Sequence, residues 1–192
     1  GEAFPPELCT WWLSHYPSIP MMNAYGPAEC SDDVTLFPIH QLDDLPGTSI
    51  PIGPPIANTQ LYILDPNLNP MPIGFPGEIH VAGDGLARAY LNRPELSAEK
   101  FINNPFIPGT RMYKTGDVGR WLEGGVMDYI GRIDNQVKVR GFRIEIGEIE
   151  VQLAQLPQVR DCAVVVSTQT SDPQLVGFYV AETDADTDAV TD

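Results

Sequence analysis

Positive charge is scarce in this chain of 192 residues: 11 Lys and Arg stand against 26 Asp and Glu, a formal net charge of −15. That balance argues against a nucleic-acid backbone as partner, because binding by counterion release needs a basic surface. An anionic nucleotide would need a local cluster of donors, which the region after Lys114 could supply. Cysteine is sparse too. Cys9, Cys30 and Cys162 are odd in number, widely spaced and without the short Cys/His spacings of zinc sites, and they read as reduced core thiols. No apolar run approaches the roughly 18 residues that span a bilayer, and no basic-then-apolar signal segment opens the chain. No membrane partner and a cytoplasmic setting are therefore expected. There is no internal repeat, and a start at Gly1 without an initiator Met reads as a piece of something longer.

The length suffices for one core plus a small second unit, and two units are expected, residues 1–133 and 134–192. From Pro5 to His15, Leu8, Trp11, Trp12 and His15 recur at helical spacing behind prolines that a first turn tolerates. Prolines crowd the stretch from Phe37 to Gly77 and exclude long helices there. Short β-like runs lie at Gln60 to Leu64 and Glu78 to Ala82, so a strand-rich, barrel-like or distorted sheet is expected. Pro94 opens a short helix towards Phe101, and WLEGGVMDYIGR predicts two strands around Gly124-Gly125. After Asp134 the texture changes. QVKVRGFRIEI alternates around Gly141 as a hairpin or bulged strand pair carrying Lys138, Arg140 and Arg143, with Val137, Val139, Phe142, Ile144 and Ile146 for a core. Ile149, Leu153 and Leu156 then recur at helical spacing up to Pro157, and strands follow at Asp161 to Val166 and Gln174 to Ala181. The closing ETDADTDAVTD reads as a solvated acidic linker.

Several loops carry residues suited to chemistry. NAYGPAE, Asn23 to Glu29, sets an aromatic and a carboxylate on either side of a Gly-Pro turn. A tyrosine face can stack on a purine, and a carboxylate is the ligand magnesium prefers when it also holds substrate phosphates; core Tyr and loop Glu are the bland alternatives. In YKTGDVGR, Asp117 follows a Thr-Gly turn, where it could accept from both hydroxyls of a ribose or cap its own turn. Arg132, in DYIGR, offers a fixed cationic fork. Asp134 ends a β-like segment and could pair with Arg132 or Arg143. Gly83 and Gly85 give only a weak dinucleotide-binding signal, since the third glycine is absent, and a structural turn is the better reading.

The run GRIDNQVKVRGFRIEIGEIE, from Gly131 to Glu150, resembles the hinge motif of the amino-acid adenylation domains of nonribosomal peptide synthetases, within the adenylate-forming enzymes. NAYGPAE resembles the same family's Asn-x-Tyr-Gly-Pro-x-Glu motif, with Ala28 where Thr is usual, and YKTGD resembles its Tyr-Arg/Lys-Thr-Gly-Asp motif. The resemblance implies the strand-rich C-terminal part of a large α/β adenylate-forming domain, followed by the start of a small α+β domain. It implies that Asn23 and Tyr25 contact adenine and that Glu29 coordinates magnesium. Asp117 would bind ribose, with Tyr129 and Arg132 approaching ribose and phosphate. Ala24, Asp32 and Asp33 would lie near the amino-acid pocket, with loop capping the bland alternative for the two acids. Asp134 would be the pivot between adenylate formation and thioester transfer, and Gly141 would line the path of the carrier's phosphopantetheine arm. The implied activity joins an amino acid to ATP and passes it to a carrier domain among neighbouring synthetase domains. Acyl- or aryl-CoA ligation, or a nonenzymatic docking role, are the alternatives. A phosphate loop would precede Gly1, and none of Lys100, Lys114 and Lys138 stands in the family's Asn-Gly-Lys setting, so the isolated segment is expected to be inactive.

Overall fold

The computed structural model describes residues 4–41, 49–134, 136–139, 141–167 and 173–182. Arg140, the side chains of Lys138 and Arg143, and all but the first residue of the acidic tail lie outside that description. The chain divides into two compact units, with the change at Ile133/Asp134.

In the first unit, helix α1 (Pro6–His15) opens with proline in its first turn, where the missing N–H costs nothing. It buries Cys9 and Leu13 against Ile39 and Ile50, with Phe4, Trp12, Met21 and Phe37 packed around them. This shifts the expected face by one position, since Leu8 and Trp11 are exposed. Trp11 instead stacks on His15 at 4.6 Å between ring centroids, so the aromatic spacing makes a surface cluster rather than a core stripe. Strand β1 (Met21–Tyr25) pairs antiparallel with β2 (Thr35–Ile39), Tyr25 opposite Thr35.

The loop between them folds back tightly. The Val34 N–H donates to the Tyr25 carbonyl at 2.8 Å, and a 3-10 turn spans Ala28–Cys30. A Cβ placed on Gly26 would sit 1.5 Å from the Asp32 carbonyl oxygen, a backbone atom that cannot swing aside. Gly26→Ala is accordingly expected to lower stability by about 1–3 kcal/mol or more, the ordinary cost of overpacking. A melting temperature equal to that of the unsubstituted protein would contradict this close approach.

The main sheet is antiparallel throughout its described pairings. Strands β3 (Thr59–Leu64) and β4 (Gly77–Gly83) pair with each other, and β4 pairs with the long β6 (Arg111–Trp121). Along the other edge of β6 lie β5 (Phe101–Asn103), which follows helix α2 (Pro94–Lys100), and β7 (Met127–Arg132). Gly124 and Gly125, at φ 81° and 75°, make the hairpin turn from β6 to β7, because that turn needs two left-handed residues. The sheet is distorted as expected, by a bulge in its longest strand. Glu78 pairs with Val118 and His80 with Lys114, so two steps on β4 face four on β6. Thr115, Gly116 and Asp117 take up the excess. The expected Thr-Gly turn is thus a bulge inside a strand, with Gly116 at φ 73°.

The second unit is built of a hairpin, β8 (Gln136–Val139) with β9 (Phe142–Glu145), then helix α3 (Ile146–Ala154), and an antiparallel pair, β10 (Val159–Ser167) with β11 (Gln174–Ala181). The Glu150 carboxylate accepts the Val164 N–H at 2.9 Å, tying α3 to β10. Val139, Ile146, Val159 and Val164 are buried, whereas Phe142 is 72% exposed and does not join the core expected of it. Val139 lies directly opposite Phe142 in the hairpin, yet of that pair only Val139 is buried.

Candidate functional site

The bulge in β6 aims one carboxylate. The Thr115 hydroxyl donates to the Ile79 carbonyl at 2.7 Å and accepts the Asp117 N–H at 2.9 Å. The Gly116 N–H donates to Glu78 Oε1 at 3.0 Å, and the Gly116 carbonyl accepts the Ile133 N–H at 2.9 Å. With its backbone fixed on both sides, Asp117 meets two donors from different strands. Tyr25, the last residue of β1, donates its hydroxyl to Oδ2 at 2.6 Å, and Arg132, opposite Asp117 on β7, donates Nη1 to Oδ1 at 2.8 Å. The same Arg132 nitrogen reaches the Thr115 carbonyl at 3.3 Å.

This ion pair is largely withdrawn from water, at 11% exposure for the Arg132 side chain and 8% for Asp117. Burial, and then the Asp117 charge, hold the Tyr25 phenol well above the ordinary tyrosine range, so it stays a protonated donor at any physiological pH. Tyr129 presents a second ring, 6.1 Å from Tyr25 and tilted by 41°. The result is a carboxylate aligned by charge-assisted bonds from Tyr25 and Arg132, with a second aromatic ring beside Tyr25, an arrangement suited to a nucleoside.

A second carboxylate shares the same core. Glu29 is buried in the 3-10 turn, its carbonyl accepting the Ala87 N–H at 2.8 Å. Its Oε1 accepts the Tyr90 hydroxyl at 2.6 Å, and Tyr90 lies 3.1 Å from the Tyr113 hydroxyl. Tyr25, Cys30 and Tyr113 belong to one hydrophobic cluster, with Tyr90 and Tyr129 packed on its margin, so both carboxylates are held by one scaffold. Burial, and then the Glu29 charge, push the Cys30 thiol up to about 12, which leaves it an inert core group, as expected for the cysteines.

Four of the expected nucleotide residues, Tyr25, Asp117, Tyr129 and Arg132, are therefore brought together, with Glu29 in the adjoining core. Asn23 is tied to the scaffold, its side-chain amide donating to the Pro51 carbonyl at 2.7 Å. Ala24, Asp32 and Asp33 are exposed, with Asp32 at φ 76°. Among the described residues neither acid has a hydrogen-bond or ion-pair partner, so their carboxylates cap nothing there. Arg132, one of the partners considered for Asp134, is engaged with Asp117. Asp134 belongs to the second unit, where its Oδ1 accepts the Gln136 N–H at 3.2 Å. Gly141 forms the exposed tip of the β8–β9 hairpin at φ 78°.

No group of three or more His, Cys, Asp or Glu gathers as a metal cage among the described residues. A single buried carboxylate with its orientation fixed is nonetheless the donor magnesium takes from a protein when substrate phosphates and water complete its shell, and Glu29 fits that description. Tyr90, Tyr113, Thr115 and Glu78 are the site's residues that sequence reasoning missed. Tyr113 and Thr115 lie inside the YKTGD motif, but the Tyr90 hydroxyl and the Ile79 carbonyl that their hydroxyls meet are remote in sequence.

Residues 1–91 match the family model described as AMP-binding enzyme. Tyrocidine synthase 3 of Brevibacillus parabrevis is 48% identical over 183 residues, which is 95% of this chain and 3% of that protein. Among solved structures, PA1221, a nonribosomal peptide synthetase protein containing adenylation and PCP domains, superimposes with a TM-score of 0.85 at 31% identity over 97% of this chain and 38% of its own. The Vibrio cholerae adenylation domain AlmE, solved in complex with glycyl-adenosine-5'-phosphate, gives a TM-score of 0.81 at 29% identity over 93% of this chain and 34% of its own. The chain belongs to the AMP-binding enzymes. Within them it is a segment of an adenylation domain of the nonribosomal peptide synthetase kind. No helix among the described residues is long and apolar enough to cross a membrane.

Proposed function

We propose that the full-length parent of this chain joins an amino acid to ATP as aminoacyl-AMP, releasing pyrophosphate, and then passes the acyl group to the phosphopantetheine thiol of a carrier domain. The observation that carries this reading is the buried Tyr25–Asp117–Arg132 cluster, whose carboxylate is fixed by the Tyr25 hydroxyl and the Arg132 guanidinium, with the Tyr129 ring close to Tyr25. In the first step a carboxylate oxygen of the amino acid attacks the α-phosphorus and the bond to the pyrophosphate oxygen breaks. In the second the thiol sulfur attacks the acyl carbon, AMP leaves, and the thiol proton passes to solvent. Neither step needs a covalent bond to the adenylation domain itself, so its contribution is positioning and charge stabilisation.

Asp117 accepts from the ribose hydroxyls, Tyr25 and Asn23 border the adenine, and Tyr129 walls the ribose. Arg132 holds Asp117 in place and lends positive charge towards the phosphates. Glu29 would hold magnesium together with the substrate phosphates, and the ion would supply charge neutralisation at the reacting phosphate. The exposed Ala24, Asp32 and Asp33 border the amino-acid pocket, and two acids there favour a polar or cationic side chain. Residues 1–133 are the C-terminal part of the large subdomain and 134–192 the first half of the small one. Asp134 is the pivot between the two steps, and Gly141 lines the path of the carrier arm. The setting is cytoplasmic, beside the other domains of a synthetase.

Support comes from AlmE, an adenylation domain solved with glycyl-adenosine-5'-phosphate, and from PA1221, which contains adenylation and PCP domains in one protein. The test is amino-acid-dependent pyrophosphate exchange by the parent protein. Exchange with one or a few amino acids is expected, and its absence across the amino and aryl acids would overturn the reading. Glu29→Gln in the same protein is expected to lower turnover at least tenfold and to raise the magnesium requirement, with ATP affinity changed far less, because a metal ligand acts on charge that develops during the reaction. Equal loss of ATP affinity and turnover would contradict that role.

A further inference from the structure

We propose that Tyr90 is a positioning residue for Glu29, its phenol fixing the carboxylate in the orientation that receives a divalent cation. This rests on the reading of Glu29 as the magnesium ligand. Tyr90 lies 61 positions from Glu29 in sequence and reaches it at 2.6 Å. Three further attachments fix where that hydroxyl can be. The Tyr90 N–H donates to Ser97 Oγ at 2.9 Å, in the middle of α2. Arg111 donates Nη1 to the Arg88 carbonyl at 2.8 Å and Nη2 to the Ala87 carbonyl at 3.1 Å, while the Ala87 N–H donates to the Glu29 carbonyl. The Tyr90 ring packs against Phe101 at 5.4 Å, and Phe101 against Tyr113 at 5.1 Å. Segment 87–90 is thus bound to the backbone of Glu29 as well as to its side chain.

The proton bookkeeping gives the contact a direction. An ionised carboxylate only accepts, so the single Tyr90 proton goes to Glu29, and the 3.1 Å contact between the phenols must then be donated by Tyr113. Tyr113 to Tyr90 to Glu29 is a relay of donors in a half-buried setting, where one bond polarises the next. A glutamate side chain has three rotatable bonds, and a metal ligand left to sample them binds its cation more weakly than one held by an outer partner.

The experiment compares Tyr90→Phe, Tyr113→Phe and Glu29→Gln in the parent protein. One readout is the magnesium concentration for half-maximal pyrophosphate exchange. The second is Mn²⁺ binding to the ATP-loaded protein by electron paramagnetic resonance, which needs no turnover. Tyr90→Phe is expected to weaken both by about tenfold or more, in the range seen for outer partners of metal ligands. The amino-acid KM is expected to stay within about twofold of the parent's. Tyr113→Phe shifts both in the same direction and by less, and it decides the matter if Tyr90→Phe fails to fold. A lowered melting temperature with both metal readouts unmoved, while Glu29→Gln moves them, would reduce Tyr90 to a packing residue and overturn the proposal. If Glu29→Gln leaves them unmoved as well, the assignment of magnesium to Glu29 falls, and the role of Tyr90 falls with it.

Discussion

Asp117→Ala in the parent protein is expected to raise the Kd for ATP at least tenfold and to destabilise the fold in the same stroke. Two buried donors lose their acceptor together: the Tyr25 hydroxyl and the Arg132 guanidinium, each under 3 Å from the carboxylate. Stranding one charge of a buried pair costs about 3–5 kcal/mol, whereas exchanging the whole pair for apolar groups of similar volume is often neutral. A second substitution separates the effects. Adding Arg132→Met to Asp117→Ala removes the stranded charge and is expected to restore most of the melting temperature without restoring ATP affinity. Recovery of both would mean that Asp117 serves only to neutralise Arg132, and the ribose assignment would be withdrawn.

Tyr25→Phe is the milder companion, because it removes one donor and strands no charge. A hydrogen bond to a charged group contributes about 1.5–3 kcal/mol, so its loss lies below that of Asp117→Ala in a ranking of melting temperatures.

Much of this arrangement is legible in the sequence because its signals are local. The proline-dense stretch excludes long helices, and β3 and β4 fall on the runs that read as strands. Gly124-Gly125 and Gly141 each mark a hairpin turn, since a left-handed backbone position favours glycine. The texture change near residue 134 falls where the chain divides into its two units. The features that sequence misplaces depend on distant partners. Leu8 and Trp11 obey helical spacing, yet it is Cys9 and Leu13, with Trp12 beside them, that find the apolar surface of Ile39 and Ile50. Phe142 alternates correctly for a core strand and shares a face with buried Val139, but at the hairpin end it stays exposed.

The bulge at Thr115 to Asp117 reads as a turn in sequence because Thr-Gly-Asp has turn chemistry. Only its pairing with β4 and β7 shows that the strand continues through it. Tyr90 is silent in the sequence for the same kind of reason. Nothing near it shows that a carboxylate 61 residues earlier will accept its proton.

Asp134→Pro is expected to separate the two half-reactions. Ile133 is tied back into the first unit through its N–H to the Gly116 carbonyl, while the Asp134 side chain ties forward to the Gln136 N–H. The torsions of residue 134 thus lie between the last anchor of one unit and the first of the next, and rotation about a few such bonds is how hinged domains reorient. Proline holds φ near −65° and restricts the residue before it, so the small subdomain would be confined to one orientation. If that orientation is the adenylating one, pyrophosphate exchange stays within a few-fold of the parent's while transfer to the carrier thiol falls by on the order of a hundredfold, an effect worth roughly 2.7 kcal/mol in the second barrier. An Asp134 that merely caps the Gln136 N–H predicts a different pattern, in which both half-reactions decline together as the second unit loses stability. Measuring both on one preparation, with thermal unfolding alongside, distinguishes the two. Parallel losses with a lowered melting temperature would remove the pivot from Asp134 and leave it a local cap.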